Sequence, residues 1–280
     1  MTDLDHRDKA ASARWGDLGS RGLSAAVMIA VGLAEIWMGG ITFAVLIVAL
    51  IVVMIWELTR MTVAADPVPL WATPIPLSLA CGLALVLALW LHAVLASQIA
   101  VGCLVLPWLI LRLAPGQDRS LRAVYGLAIV LAGYGLVGLR ETAGPVVIFW
   151  LVAVVVASDV LGYFVGRLVG GPRFWPRISP KKTWSGTIAG WVGAGLVGLG
   201  FVVMGSASLV LVALSVVVAF AGQLGDITES WIKRRAGVKD TSRVIPGHGG
   251  VLDRFDALIG AVVLLWLIQP FVALQPLVGG

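Results

Sequence analysis

The sequence predicts an all-α polytopic membrane protein with about nine transmembrane helices. Three observations carry that reading. The 280 residues are 59% hydrophobic and only 12% charged, about half the charged fraction of a soluble domain, and mean hydropathy is +0.99. Apolar runs of roughly 20 residues, enough to cross a hydrocarbon core, recur along the chain. No alternating pattern suggests a barrel, and backbone groups in lipid must be satisfied within a helix or a closed sheet.

Residues 1–23 are polar and of mixed charge, with Asp3, Asp5, Arg7, Asp8, Lys9, Arg14 and Arg21. The stretch is too long and too acidic for the leading region of a signal peptide, so it reads as a cytoplasmic tail. Apolar segments follow at 22–39, 41–58, 74–96, 98–113, 121–138, 145–165, 186–204, 207–224 and 256–275. Pro67, Pro69, Pro74 and Pro76 mark the second connection, and the break between the third and fourth segments is weak. With the N-terminus inside, nineteen of the twenty Lys and Arg fall on the cytoplasmic side and only Arg140 lies outside. Positive residues stay inside, so the C-terminus is expected outside. Residues 24–140 then form the N-terminal transmembrane helices. Residues 141–280 form a second transmembrane region that carries two cytoplasmic polar loops.

The net charge of +5 does not indicate nucleic acid, because the basic residues sit in short loops where topology demands them. Cys81 and Cys103 lie in apolar runs and read as small core residues. The twelve Trp read mostly as interfacial anchors, and His92 as a buried, hydrogen-bonded core group. Glu57, beside Trp56, is placed at the interface, and Glu35 has no assigned role. No internal repeat is evident, which disfavours a transporter.

Chemistry concentrates between Gln223 and Asp256, which hold five of the fifteen acidic residues and six of the twenty Lys and Arg. Such a cluster is costly near lipid unless it has a function. Asp226 and Glu229 are three apart and share a helix face, as do Asp253 and Asp256. If the first pair ends one span and the second begins the next, they can face each other and hold magnesium, a hard cation that takes carboxylate, phosphate and water oxygens. The competing reading is interhelical contacts with Lys233 or Arg254. Gly247, His248, Gly249 and Gly250 form a glycine loop before a helix start, where backbone amides can approach an anion. Lys239 and Asp240 precede it. Upstream, Asp159 at a span edge is a functional candidate by cost alone, with Arg167 or a metal as partner. Lys181 and Lys182 suit a triphosphate, unless they are flanking charges.

These residues resemble a known family. Ser230-Trp231-Ile232-Lys233-Arg234, Lys239-Asp240, Pro246-Gly247-His248-Gly249-Gly250 and Asp253-Arg254-Phe255-Asp256 are very similar to the signature of phosphatidate cytidylyltransferases. Gly222-Gln223-Leu224-Gly225-Asp226, Asp159, Tyr163-Phe164, Gly166-Arg167 and Ser179-Pro180-Lys181-Lys182-Thr183-Trp184 also resemble it. Residues 1–140 add only hydropathy and the Trp56-Glu57 pair. Ser185 stands where the family usually has Glu. The resemblance implies transfer of cytidylyl from CTP to phosphatidate in the bilayer, with magnesium and room for a second, monovalent cation. It also implies a homodimer in a bacterial inner membrane with the site facing the cytoplasm. On that reading Asp226 and Asp253 lead the metal site, supported by Asp256 and Glu229. Lys181, Lys182, Lys239 and Arg254 hold the triphosphate or pyrophosphate. His248 and the amides around Gly249 and Gly250 stabilise the leaving group. Lys233 and Arg234 meet the phosphatidate headgroup. The rival expectations are a CTP-dependent polyprenol- or phytol-type lipid kinase and an ion-coupled transporter.

Overall fold

The computed structural model describes residues 22–63, 68–95, 98–205 and 207–272; the expected tail at 1–21 lies outside them. Nine helices appear among the described residues: α1 (Gly22–Met38), α2 (Gly40–Thr62), α3 (Pro74–Leu95), α4 (Gln98–Cys103), α5 (Val105–Leu113), α6 (Arg119–Val169), α7 (Trp184–Val203), α8 (Val210–Arg235) and α9 (Leu252–Ile268). Five of them, α2, α3, α6, α7 and α8, are long and apolar enough to cross a membrane by length and composition. The chain is an integral membrane protein. Lipid-facing stripes are visible on α7, where Ile188, Val192 and Leu196 recur every four residues and are exposed, as helix periodicity requires of one face.

Helix breaks differ from the expected segments. The predicted fourth segment is two short helices, α4 and α5. The fifth and sixth are joined in the 51-residue α6. A straight helix of that length would run about 77 Å, far beyond a bilayer core of about 30 Å. Gly144, at φ 80° and ψ 179° and followed by Pro145, interrupts it, so α6 is two limbs. The all-α expectation also misses a small antiparallel ribbon, β1 (Arg173–Trp175) with β2 (Ser179–Thr183), pairing Arg173 with Thr183 and Trp175 with Ser179.

Buried polar contacts tie the helices into one bundle. Trp150 Nε1 donates to Ser215 Oγ at 2.9 Å, joining α6 to α8 in the core. Arg122 is fully buried and donates to the carbonyls of Thr62, Leu111, Ala114 and Pro115. It thereby caps α2 and α5, whose last carbonyls have no helical partner. At the other end of the bundle Arg140 donates to Ile36 and Trp37 at the end of α1. His92 is hydrogen-bonded as expected, at 3.0 Å from Tyr134 Oη, but is exposed on the protein surface rather than buried.

Further contacts sort the helix ends. The start of α1, the ends of α2 and α8 and the starts of α6 and α9 meet at one end: Ser24 pairs with His248, Glu57 with Leu252, and Arg235 with Asp118. The ribbon joins them through Lys182 and Asp226.

Candidate active site

Small residues bring α8 and α9 together. A Cβ on Gly225 would enter the Asp256 carbonyl, one on Gly260 would enter the Ala221 carbonyl, and one on Gly222 would lie 3.2 Å from the Ala257 carbonyl. Only glycine permits such close passage of backbones. The consequence is a cluster: Asp226 and Glu229 on α8 and Asp256 on α9 offer carboxylate oxygens all within 4.8 Å of one another.

Two lysines face this cluster. Lys182 Nζ, carried by β2, lies 2.5 Å from Asp226 Oδ2. Lys233 Nζ lies 2.6 Å from Glu229 Oε2 and 2.7 Å from Asp253 Oδ1. Glu229 is 0% exposed, and its Oε1 has no hydrogen-bond partner. Ionised, the four carboxylates outnumber the two ammonium groups. A buried acceptor lacking a donor is costly, and a hard divalent cation would satisfy it with the ligand chemistry magnesium prefers.

A cavity of about 700 Å³ opens beside the cluster, lined by Asp159, Arg167, Arg173, Lys181, Lys182 and Asp226 among others. That is a typical size for a small-molecule site. Its wall is another close crossing, where a Cβ on Gly186 would sit 2.5 Å from the Gly162 carbonyl. Thr183 caps α7 by accepting from the Gly186 amide at 3.2 Å. Ser185 Oγ donates to the Gly170 carbonyl at 2.5 Å, a bond that an ionised Glu could not make. Arg167, one of the two partners expected for Asp159, donates instead to Tyr163 Oη at 2.8 Å. A second cavity of about 800 Å³, around Thr62, Asp118, Arg119 and Arg235, contains none of these acids.

The glycine loop is organised differently from expectation. Its amides were expected to meet an anion, yet they are answered by the protein itself. Gly249 N donates to the Ile245 carbonyl at 3.2 Å, and Gly250 N to Asp253 Oδ2 at 2.9 Å. Val251 N and Leu252 N donate to Glu57 Oε1 and Oε2 at 2.9 and 2.7 Å. The positive end of α9, which favours negative charge, is thus occupied by two carboxylates. Asp253, expected to lead with Asp226, has both oxygens engaged, by Lys233 and by the amide and hydroxyl of Thr241. It adjoins the cluster at Lys233 and at the Glu229 carboxyl. His248 Nδ1 pairs with Ser24 Oγ at 2.9 Å. Arg234, Lys239 and Arg254 are exposed, and none of them lines the cavity.

Glu57 was placed at the interface and is instead 0% exposed, at the centre of the loop. Its signal was present: a carboxylate ending an apolar run is functional by default, and the nearby Arg60 stacks on Trp56 at 5.3 Å without neutralising it. Gln223 was also missed. It accepts from Trp191 Nε1 at 2.9 Å and donates to Ser158 Oγ and the Thr187 carbonyl at 3.3 Å, fastening α8 to α6 and α7 along the cavity.

Residues 19–272 match the model of the cytidylyltransferase family. The chain belongs to that family. Among curated relatives, a phosphatidate cytidylyltransferase of Brucella abortus biovar 1 (strain 9-941) is 33% identical over 260 residues, covering 90% of this chain and 93% of the relative. One from Helicobacter pylori (strain J99) is 43% identical over 143 residues, 49% of this chain and 53% of the relative. One from Staphylococcus aureus (strain COL) is 34% identical over 183 residues, 63% and 70% respectively. The family match includes every acid and lysine of the cluster.

Proposed function

We propose that this chain transfers the cytidylyl group of CTP to phosphatidate, giving CDP-diacylglycerol and pyrophosphate, at the cytoplasmic face of a bacterial inner membrane. The observation that carries the reading is the cluster of Asp226, Glu229 and Asp256 beside a basic cavity, in a member of the cytidylyltransferase family. Nine crossings, counting the limbs of α6 separately and α4 with α5 as one, fit the gathering of polar helix ends at one face. The positive-inside bias makes that face cytoplasmic.

Asp226, Glu229 and Asp256 would hold magnesium, which neutralises charge developing on the phosphates. Lys181, Lys182 and Arg173 line the cavity and hold the triphosphate. An already ionised phosphatidate oxygen attacks the α-phosphorus, a new P–O bond forms, and the bond to the β-phosphate breaks as pyrophosphate leaves. The nucleophile needs no general base, so positioning and charge neutralisation dominate. Asp159 at the cavity wall orients cavity groups. Asp253 holds Lys233 in place, and Lys233 keeps Glu229 compensated. His248, through Ser24, holds the loop against α1. Arg234, Lys239 and Arg254 stand exposed at the same face, where a lipid headgroup and departing pyrophosphate carry negative charge. A homodimer and a second, monovalent cation are part of the proposal.

The test uses CTP labelled at the α-phosphate, phosphatidate and magnesium with detergent-purified protein. Label in the lipid, with pyrophosphate released, is expected. Label remaining in CDP would mean a lipid kinase and overturn the proposal.

A further inference from the structure

Glu57 lies in α2, far in sequence from the acid cluster, and makes no ion pair with any described residue. It accepts three hydrogen bonds and donates none: Ser242 Oγ at 2.5 Å and Val251 N at 2.9 Å on Oε1, and Leu252 N at 2.7 Å on Oε2. All its partners lie on one loop and the helix start that follows it. The loop fits tightly against it, since a Cβ on Gly250 would lie 2.6 Å from Glu57 Oε1. A glutamine could not substitute, because its amide N–H would face a backbone N–H.

From this loop a continuous series of contacts reaches the cluster. Thr241 and Gly250 donate to Asp253 Oδ2. Asp253 Oδ1 holds Lys233 Nζ, and Lys233 Nζ holds Glu229 Oε2. We propose that Glu57 is a positioning residue for catalysis: by fixing the loop from Thr241 to Leu252 it sets where Asp253 holds Lys233, and therefore how much of the Glu229 carboxylate is free to bind a cation. This rests on the function proposed above. It makes the N-terminal helices part of the catalytic apparatus rather than only its membrane anchor.

Without Glu57 the loop loosens, Asp253 releases Lys233, and the ammonium, already 2.6 Å from Glu229 Oε2, is left to that carboxylate alone. Partners one shell removed from a metal typically change affinity or activity by about 10–100-fold. The nucleotide cavity is lined by β1, β2, α6, α7 and α8 and by no residue of this loop, so CTP affinity should hardly move.

The experiment compares wild type, Glu57→Gln, Glu57→Asp and Ser242→Ala in detergent, each checked for a monodisperse elution profile. Glu57→Gln is expected to lower kcat and raise the half-saturating magnesium concentration by roughly ten-fold or more, with KM for CTP within about threefold. Glu57→Asp, which keeps the charge and both acceptor oxygens, should recover part of the loss. Ser242→Ala should act in the same direction more weakly, and it decides the matter if Glu57→Gln does not fold. Mn²⁺ binding followed by electron paramagnetic resonance should weaken in parallel. That readout stands even if wild type releases no pyrophosphate, an outcome that would count against the proposed reaction alone. A lower unfolding temperature with unchanged kcat, magnesium requirement and Mn²⁺ binding would show Glu57 to be a helix cap only, and would overturn the proposal.

Discussion

Two groups of carboxylates stand side by side at one end of this bundle, and they are finished differently. Around Glu57 and Asp253 every carboxylate oxygen accepts a hydrogen bond, and the donors are backbone amides, Ser242, Thr241 and Lys233. Around Asp226, Glu229 and Asp256 the acids face one another within 4.8 Å, and Glu229 Oε1 has no donor. The first group is complete as it stands and behaves as architecture. The second is assembled with valence to spare, as a site that binds something must be. Lys233 touches both, so the completed group controls the open one.

The largest effect should come from removing an open acid. Asp226→Asn or Asp256→Asn should lower turnover by about 10²–10⁴-fold, the several kcal/mol that a metal-held charge supplies, with little change in unfolding temperature. Pyrophosphate release measures it. Next comes the geometry that assembles the group. Gly260→Leu should force α9 off the Ala221 carbonyl and separate Asp256 from Asp226, abolishing most activity and lowering the unfolding temperature together; circular dichroism alongside the assay distinguishes this from ligand loss.

Lys182→Met sharpens the comparison in the opposite direction. Lys182 neutralises Asp226 from 2.5 Å, so removing it should tighten Mn²⁺ binding without nucleotide while raising KM for CTP about tenfold, the worth of one charge-assisted contact. The smallest effect lies outside both groups. Arg235 forks onto Asp118 at 2.6 and 2.8 Å and holds its carboxyl below the ordinary range. A carboxyl depressed in the folded state contributes stability that is present above its unfolded pKa and is lost as pH falls through the folded value. Thermal melts from pH 7 downward should therefore show a slightly shallower acid decline for Asp118→Asn than for wild type, and the exposed setting keeps the difference small.

How far the sequence reaches can be traced along these same residues. Apolar runs revealed the helices because lipid leaves no alternative to backbone pairing within the segment. Asp226 and Glu229 were legible as a pair because three residues return to the same helix face. The same rule applied to Asp253 and Asp256 was incomplete: one turn at a helix start is enough for Asp253 to reach back to its own loop while Asp256 looks across to α8. The ribbon carrying Lys182 was hidden because Ser-Pro-Lys-Lys-Thr has no apolar alternation to announce a strand. Glu57 was placed at the interface and not in the loop, since its partners lie 185 to 195 residues away and only tertiary packing brings them to it. The gap at Gly144 was seen, but not that helix resumes directly after it.

The most direct test of the account is a Mn²⁺ titration, read by electron paramagnetic resonance, of wild type, Asp226→Asn and Asp253→Asn. The account predicts that Asp226→Asn weakens binding by about 10–100-fold and that Asp253→Asn weakens it distinctly less, because one removes a ligand and the other loosens a support. Binding to Asp226→Asn as tight as to wild type would contradict it.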